Sequence, residues 1–371
     1  MKPILFDHTK LHEYCAKNKV QPFREKQIIY EIFKNQNITF DDMTTLSKEF
    51  KSDLDKEFQI LSLTMDSTKE DDQTTKFWFK THDWHIIETV VIYHRKPDEY
   101  KKKENDLNRI TICISSQIGC PVKCLFCVTG QTWIVRNLTW DEIISQILYA
   151  NNYIKKRLWK KEDKTFYGVR NVVFMWMGEP LLNYDNMKKS LEFLLWQDKL
   201  SLSKRHITIS TSWIIEWIQK MIDDKLDVKL AISLHAPEQL LREKLIPIAK
   251  KNNLISLMEI IEKYVLATNN RIFYEYIMIK DMTDTPELAK KLANLLRWQL
   301  AHVNLIPYNE NPAINLKESS KENIQKFKKI LEDNWVTVTI RDSMWRSIKS
   351  ACGQLGYEKL NLSQSNNVKK T

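Results

Sequence analysis

Cys120-Pro-Val-Lys-Cys124-Leu-Phe-Cys127 is a C-x3-C-x2-C run, and it is the strongest chemical signal in the chain. Six cysteines are present among 371 residues: Cys15, Cys113, Cys120, Cys124, Cys127 and Cys352. Four of them fall between residues 113 and 127. Three thiolates on one short loop, directly after an apolar run (ITICIS), can hold three irons of a [4Fe–4S] cluster. The missing fourth ligand leaves one iron open to a substrate group, as the open position does in a catalytic zinc site. A zinc ion completed by a distant ligand is the alternative. Phe126, between the last two cysteines, suits an apolar cover. In a cytoplasmic chain such crowding reads as metal or redox chemistry rather than a disulfide framework.

The cysteine loop needs a scaffold, and the rest of the chain supplies one. Residues 1 to about 65 read as helices, because PFREKQIIYEIF and SKEFKSDLDKEF carry apolar residues at three- and four-residue steps. Thr45 and Ser47 are candidate N-caps for the second of these. KFWFKTHDWHIIETVVIYH alternates as a β-hairpin does, and the charged RKPDEYKKKENDLN follows as a loop. From residue 109 onward, short apolar runs recur: ITICIS, VVFMWM, HITIST, VKLAISL, RIFYEYIMI, HVNLIP and VTVTIR. Helix-like segments such as DEIISQILYA, NMKKSLEFLL and TPELAKKLANLL lie between several of them. That alternation predicts an α/β fold: a parallel sheet of six or seven strands, a partial (β/α) barrel. The expected boundaries are a helical unit over 1–70, a hairpin and linker over 71–108, the barrel over 109–357 and a polar tail over 358–371.

Composition narrows the setting. Hydrophobic residues are 43% and charged residues 28%, which fits a folded globular protein. No apolar run approaches the length of a membrane span, and no membrane partner is expected. The N-terminal MKPILFDHTKLHEY carries charges where a signal peptide needs an apolar stretch, so a cytoplasmic protein is expected. A net charge of +10 favours an anionic partner such as nucleic acid.

A C-x3-C-x2-C after the first strand of a partial barrel resembles the radical S-adenosylmethionine (SAM) enzymes. The likeness extends to one branch. ISSQIGCPVKCLFCVTGQT, RNLT, VVFMWMGEPLLNY, ITISTS, LAISLHAP, YIMIKDMTD, VNLIPYN and SACGQLG resemble, in this order, the RlmN/Cfr family of adenine methyltransferases. FREKQI and FDDMTTLSKEF are similar to that family's N-terminal helical domain.

The resemblance implies roles, residue by residue. Cys120, Cys124 and Cys127 hold the cluster, whose open iron chelates SAM. Gly178 and Glu179 of the G-E-P motif meet the SAM amino group; a carboxylate at a strand end can accept from an ammonium, and glycine permits close approach. Ser210, Ser233, Leu234, His235 and Asn309 are further SAM contacts, at the C-terminal strand ends where a barrel places its active site. Cys352 is methylated by one SAM. A second SAM supplies a radical that takes hydrogen from that methyl, and the resulting methylene adds to the adenine ring. This route answers a chemical problem, since adenine C2 is electrophilic and cannot accept a methyl cation equivalent directly. Cys113 attacks Cys352 in a transient disulfide that releases product. Glu88 of HIIETVVI accepts the proton, so the hairpin is expected to reach over the barrel mouth. Cys15 reads as an inert buried thiol.

The implied substrates are an adenosine in 23S rRNA and one in the tRNA anticodon loop, where an unpaired base can leave its stack. An electron donor such as flavodoxin or ferredoxin and a monomeric state go with this reading. Two alternatives stay open: C8 methylation, as in the Cfr branch, and an iron–sulfur or zinc RNA-binding protein without catalysis.

Against this pattern stands an anomaly: 6 Gly and 12 Trp. Trp84, Trp133, Trp176, Trp213, Trp217, Trp298, Trp335 and Trp345 stand where the resembled family carries Gly. Random substitution would not choose one residue type so often. The pattern is that of a gene in which UGA encodes Gly, written out with Trp. Trp78, Trp140, Trp159 and Trp196 remain unassigned.

Overall fold

The seven apolar runs form the seven parallel strands of one sheet. The computed structural model describes residues 2–95, 107–158, 168–175, 177–212 and 214–341. The parallel strands are β4 (Leu107–Cys113), β7 (Asn171–Phe174), β8 (Ile207–Thr211), β9 (Lys229–Ser233), β10 (Ile272–Met278), β11 (Ala301–Pro307) and β12 (Thr337–Ile340). They lie side by side in chain order, while β5 (Gln117–Ile118) and β6 (Arg136–Asn137), between β4 and β7 in the chain, form a separate antiparallel pair. Crossover helices connect them, among them α4 (Trp140–Leu158), α5 (Tyr184–Leu195), α6 (Ile215–Asp223), α8 (Leu254–Thr268), α9 (Pro286–Leu296) and α10 (Lys321–Asp333). β12 does not pair back to the other end of the sheet, so the barrel is partial. Among the described residues no helix is long and apolar enough to cross a membrane.

The hairpin belongs to the same sheet. β1 (Thr64–Glu70), β2 (Thr74–Lys80) and β3 (Ile86–Arg95) run antiparallel, and β3 pairs with β4. Val90 lies opposite Cys113 and Ile92 opposite Thr111. The expectation that the hairpin reaches over the barrel mouth therefore gives way to a different arrangement: β3 extends the barrel wall sideways. β1 was expected within the helical unit. TMDSTKE has no apolar alternation because six of its seven residues are exposed, so only its ladder to β2 makes it a strand.

Three helices open the chain: α1 (His8–Lys17), α2 (Phe23–Phe33) and α3 (Lys48–Glu57). Ser47 caps α3, accepting from the Phe50 N–H at 3.3 Å. Thr45, the other cap candidate, instead donates its hydroxyl to the buried carboxylate of Glu31. Phe6 then fixes this unit to the barrel's helices. Its ring meets Phe33 and Trp140 edge-on at 5.7 Å and Phe193 at 5.8 Å. Cys15 is on the buried side of α1, and burial pushes its thiol up to about 11, as suits an inert core residue.

Backbone conformation bears on the tryptophan anomaly. Trp84, in the turn between β2 and β3, has φ 66° and is 75% exposed. Trp335, one residue past the cap of α10, has φ 63° and is 97% exposed. Both occupy the left-handed region, at a hairpin turn and a helix C′ position where glycine is the ordinary choice. Trp133 and Trp298 are exposed without that strain. Trp217 is different: it lies inside α6 and stacks on Tyr184 at 5.0 Å, so its position asks for no glycine. Trp176, Trp213 and Trp345 lie outside the described residues.

Candidate active site

The cysteine loop follows β4 and folds under the C-terminal ends of the parallel strands. Cys120, Cys124, Cys127, Gly178, Glu179, Ser210, Ser233 and His235 line one cavity there. Eight residues spread over more than a hundred positions of sequence thus meet in one place. Parallel strands achieve this because each ends at the same rim.

The thiols are desolvated. Burial pushes Cys120 up to about 12, raises Cys127 and raises Cys124 well above the ordinary range, with the neighbouring sulfurs adding to the effect on Cys120 and Cys124. Arg242 of α7 (Gln239–Leu245) opposes this at Cys124. Three thiolates here need positive charge to ionise, which is what a metal cluster brings. Among the described residues no three Cys, His, Asp or Glu side chains are grouped to hold a metal ion. The three cysteines line the wall of the same cavity. Val122 and Phe126 pack beside them as the apolar cover.

Glu179 is buried, and burial raises its carboxyl. Three donors offset that: the Ser212 N–H at 2.8 Å and Ser212 hydroxyl at 2.9 Å to one oxygen, and the Leu181 N–H at 3.1 Å to the other. Gly178 precedes it at φ 101°. A Cβ there would stand 2.6 Å from the Gln117 Cβ, while Gln117 Oε1 accepts from the Glu179 N–H at 2.7 Å. The glycine is thus required by sterics on both counts.

His235 also has positive φ, 57°. Its Nδ1 accepts from the Ile277 N–H at 3.1 Å, so the proton is on Nε2. Burial, with Arg242 nearby, pushes its pKa down to about 3, and the ring is a neutral donor edge-on to Phe126 at 4.7 Å.

Other expected residues fall elsewhere. Leu234 is fully buried behind the rim, its N–H donating to the Glu275 carbonyl at 3.1 Å. Asn309 is buried two residues past β11 and does not line the cavity. Cys113 ends β4 and packs with Val90, Ile92 and Val173 on the inner face. Glu88 is buried in β3, two residues before Val90 and so on that same face. Its carboxylate faces Lys76 Nζ at 3.1 Å and accepts from Trp78 Nε1 at 3.0 Å. Cys352 lies outside the described residues. Sequence reasoning missed Ser212, Arg242 and Glu275. Ser212 stood in the STS motif, whose first serine alone was singled out. Arg242 and Glu275 carry no local signal, since their partners are remote: Arg242 donates to the Ser212 and Ser233 carbonyls at 3.2 and 3.1 Å.

Comparison with known proteins decides the family. Residues 114–293 match the radical SAM superfamily, and residues 4–60 match the ribosomal RNA large subunit methyltransferase N-terminal domain. A probable dual-specificity RNA methyltransferase RlmN of Clostridium novyi is 38% identical over 96% of this chain and 98% of its own. The chain belongs to the RlmN family of radical SAM RNA methyltransferases. The dual-specificity RNA methyltransferase RlmN of Nautilia profundicola is 37% identical over 97% of this chain and 99% of its own. A crystal structure of a radical SAM methyltransferase from Sphaerobacter thermophilus superposes with a TM-score of 0.84 at 33% identity, covering 95% of this chain and 97% of that one. Membership makes this chain an enzyme that uses SAM and an iron–sulfur cluster to methylate RNA.

Proposed function

We propose that the chain methylates C2 of an adenosine in 23S rRNA and in tRNA, through a methylated Cys352. Cys120, Cys124 and Cys127 hold three irons of one [4Fe–4S] cluster. Two SAM molecules per turnover would supply the methyl group and the radical, and an electron donor such as flavodoxin or ferredoxin would serve the cluster. The enzyme acts as a monomer in the cytoplasm. One observation supports this reading above the others: the three cysteines share a single cavity with Glu179, Ser210, Ser233 and His235.

When bound, the cluster and SAM supply one-electron cleavage of a sulfonium bond. The chain's own groups orient and shield. Glu179, held by Ser212 and Leu181, accepts from the SAM ammonium. His235 offers Nε2–H to an acceptor in the cavity. Gly178 lets the backbone approach closely. Val122 and Phe126 exclude water. Cys113, on the inner face, resolves the bond to Cys352 as a thiolate. Glu88, beside it on the same face, accepts the ring proton.

The test is anaerobic reconstitution with iron and sulfide, incubation with SAM, reductant and RNA, then digestion to nucleosides. The expected product is 2-methyladenosine from both rRNA and tRNA substrates. Only 8-methyladenosine would reassign the enzyme to C8 chemistry, and no SAM cleavage would overturn the cofactor assignment.

A further inference from the structure

The cysteine loop lies between β5 and β6, strands of only two residues each. Gln117 lies opposite Asn137, and Ile118 opposite Arg136. A ladder this short holds little by itself, so side chains must fix it. Arg136 does so with all five of its N–H donors. Nε and Nη2 donate to the two oxygens of Asp83, and Nη1 and Nη2 to the two oxygens of Glu142, each at 2.8 Å. The remaining Nη1 hydrogen goes to the Asn137 carbonyl at 3.1 Å. Asp83 belongs to the turn between β2 and β3, and Glu142 to the first turn of α4.

Each carboxylate is fixed in its own right. Asp83 accepts from the Thr81 hydroxyl at 2.6 Å, and Glu142 from the Thr139 N–H at 3.0 Å. Glu142 is also buried at a helix N-terminus, where negative charge is favoured. The bonds from Arg136 hold the Asp83 carboxyl well below the usual carboxylate range. Two bidentate pairs on one planar guanidinium set its angle as well as its place. Successive residues of a strand point to opposite faces, so Asn137 turns the other way. Its Oδ1 accepts from Gln117 Nε2 at 2.8 Å, and its Nδ2 donates to the Leu182 carbonyl at 3.1 Å. Gln117 Oε1 in turn accepts from the Glu179 N–H at 2.7 Å. β6 thus grips the G-E-P segment at Glu179 and again at Leu182.

We propose that Arg136 is a positioning residue for SAM: it locks β6, and through Asn137 and Gln117 it sets where Glu179 stands. The inference rests on the reading of Glu179 as the acceptor for the SAM ammonium. Arg136 does not line the cysteine cavity, so its effect is carried by the residues between. Losing the guanidinium leaves two carboxylates facing each other without a counter-charge. They then move apart, and β6 moves with them. Lysine cannot replace it, because a point charge attracts both carboxylates without fixing the angle between them.

The experiment measures SAM affinity by equilibrium dialysis on the anaerobically reconstituted full-length protein, with bound iron assayed alongside. Arg136→Gln and Arg136→Lys should each bind SAM about tenfold more weakly than the parent, with iron content unchanged. Asn137→Ala, at an exposed position, should weaken binding to a similar degree. The double variant Arg136→Gln/Asn137→Ala should be no worse than the weaker single one, since both cut the same path. Parent-like affinity in either Arg136 variant, or losses that multiply in the double one, would overturn the proposal. Should Arg136→Gln fail to fold, Asp83→Asn removes one pair and leaves the other, with an expected loss of about threefold. Parent-like affinity in Asp83→Asn would then end the proposal. Glu179→Gln is the control. Undiminished SAM binding there would overturn the reading of Glu179 and this inference with it, whereas a loss confined to Glu179→Gln would overturn the inference alone.

Discussion

Lys76 Nζ stands 3.1 Å from the Glu88 carboxylate, and both side chains are almost wholly buried. A buried ion pair contributes little net stability, yet breaking it is costly, because one charge is left alone. Lys76→Met should therefore lower the unfolding free energy by about 3–5 kcal/mol, read from urea titration. Lys76→Met combined with Glu88→Leu should recover most of that loss. A double variant no more stable than the single one would show that the pair is not the cause.

The two functional cysteines outside the cluster loop should separate by phenotype. Cys352→Ala removes the methyl acceptor, so RNA methylation should vanish while SAM cleavage continues. Cys113→Ala removes the resolving thiol, so RNA should remain covalently joined to the protein on a denaturing gel. Full methylation by either variant would remove that residue from the mechanism.

Gly178→Ala should abolish SAM binding without unfolding the protein. The new Cβ meets Gln117, and φ 101° disfavours any side chain. Gln117 must then move, releasing the N–H of Glu179. Equilibrium dialysis with labelled SAM measures the loss, and an unchanged affinity would mean that the motif yields more easily than its packing suggests.

His94 should make the protein acid-labile. Burial, aided by Arg109 and Arg341, pushes its pKa down to about 4, below the unfolded value of about 6.5. Between those values the unfolded chain binds a proton that the folded one refuses, so stability falls as pH drops through that window. The slope for one complete proton is about 1.4 kcal/mol per pH unit, and partial exposure makes the observed slope smaller. Urea titrations from pH 7 to 4 should show a shallower fall in His94→Gln than in the parent.

Codons at Trp84 and Trp335 are expected to be UGA, decoded as Gly in the native cell. Left-handed backbone costs a residue with a Cβ about 1–2 kcal/mol, and Trp84→Gly and Trp335→Gly should each raise stability by about 1 kcal/mol after the extra unfolded-chain entropy of glycine. Thermal melts of the two variants measure this. UGG at both positions, or an intact mass from native cells with Trp there, would end the idea.

Much of the barrel was legible because buried parallel strands are continuous apolar runs, and all seven were marked by such runs. The cysteine loop was legible because its ligands are close in sequence. β1 was hidden because an exposed edge strand needs no apolar face. Arg242 and Glu275 were hidden for another reason: their roles come from partners many residues away, and neither residue type nor spacing announces such a partner. The position of Glu88 required the sheet order, since only the β3–β4 pairing sets it beside the inner face.

The polar edge strand β1 has a consequence for how copies of this enzyme behave together. It is the edge strand of the sheet, and Asp66, Lys69 and Glu70 stud it with charge of both signs. Edge-to-edge aggregation is thereby discouraged.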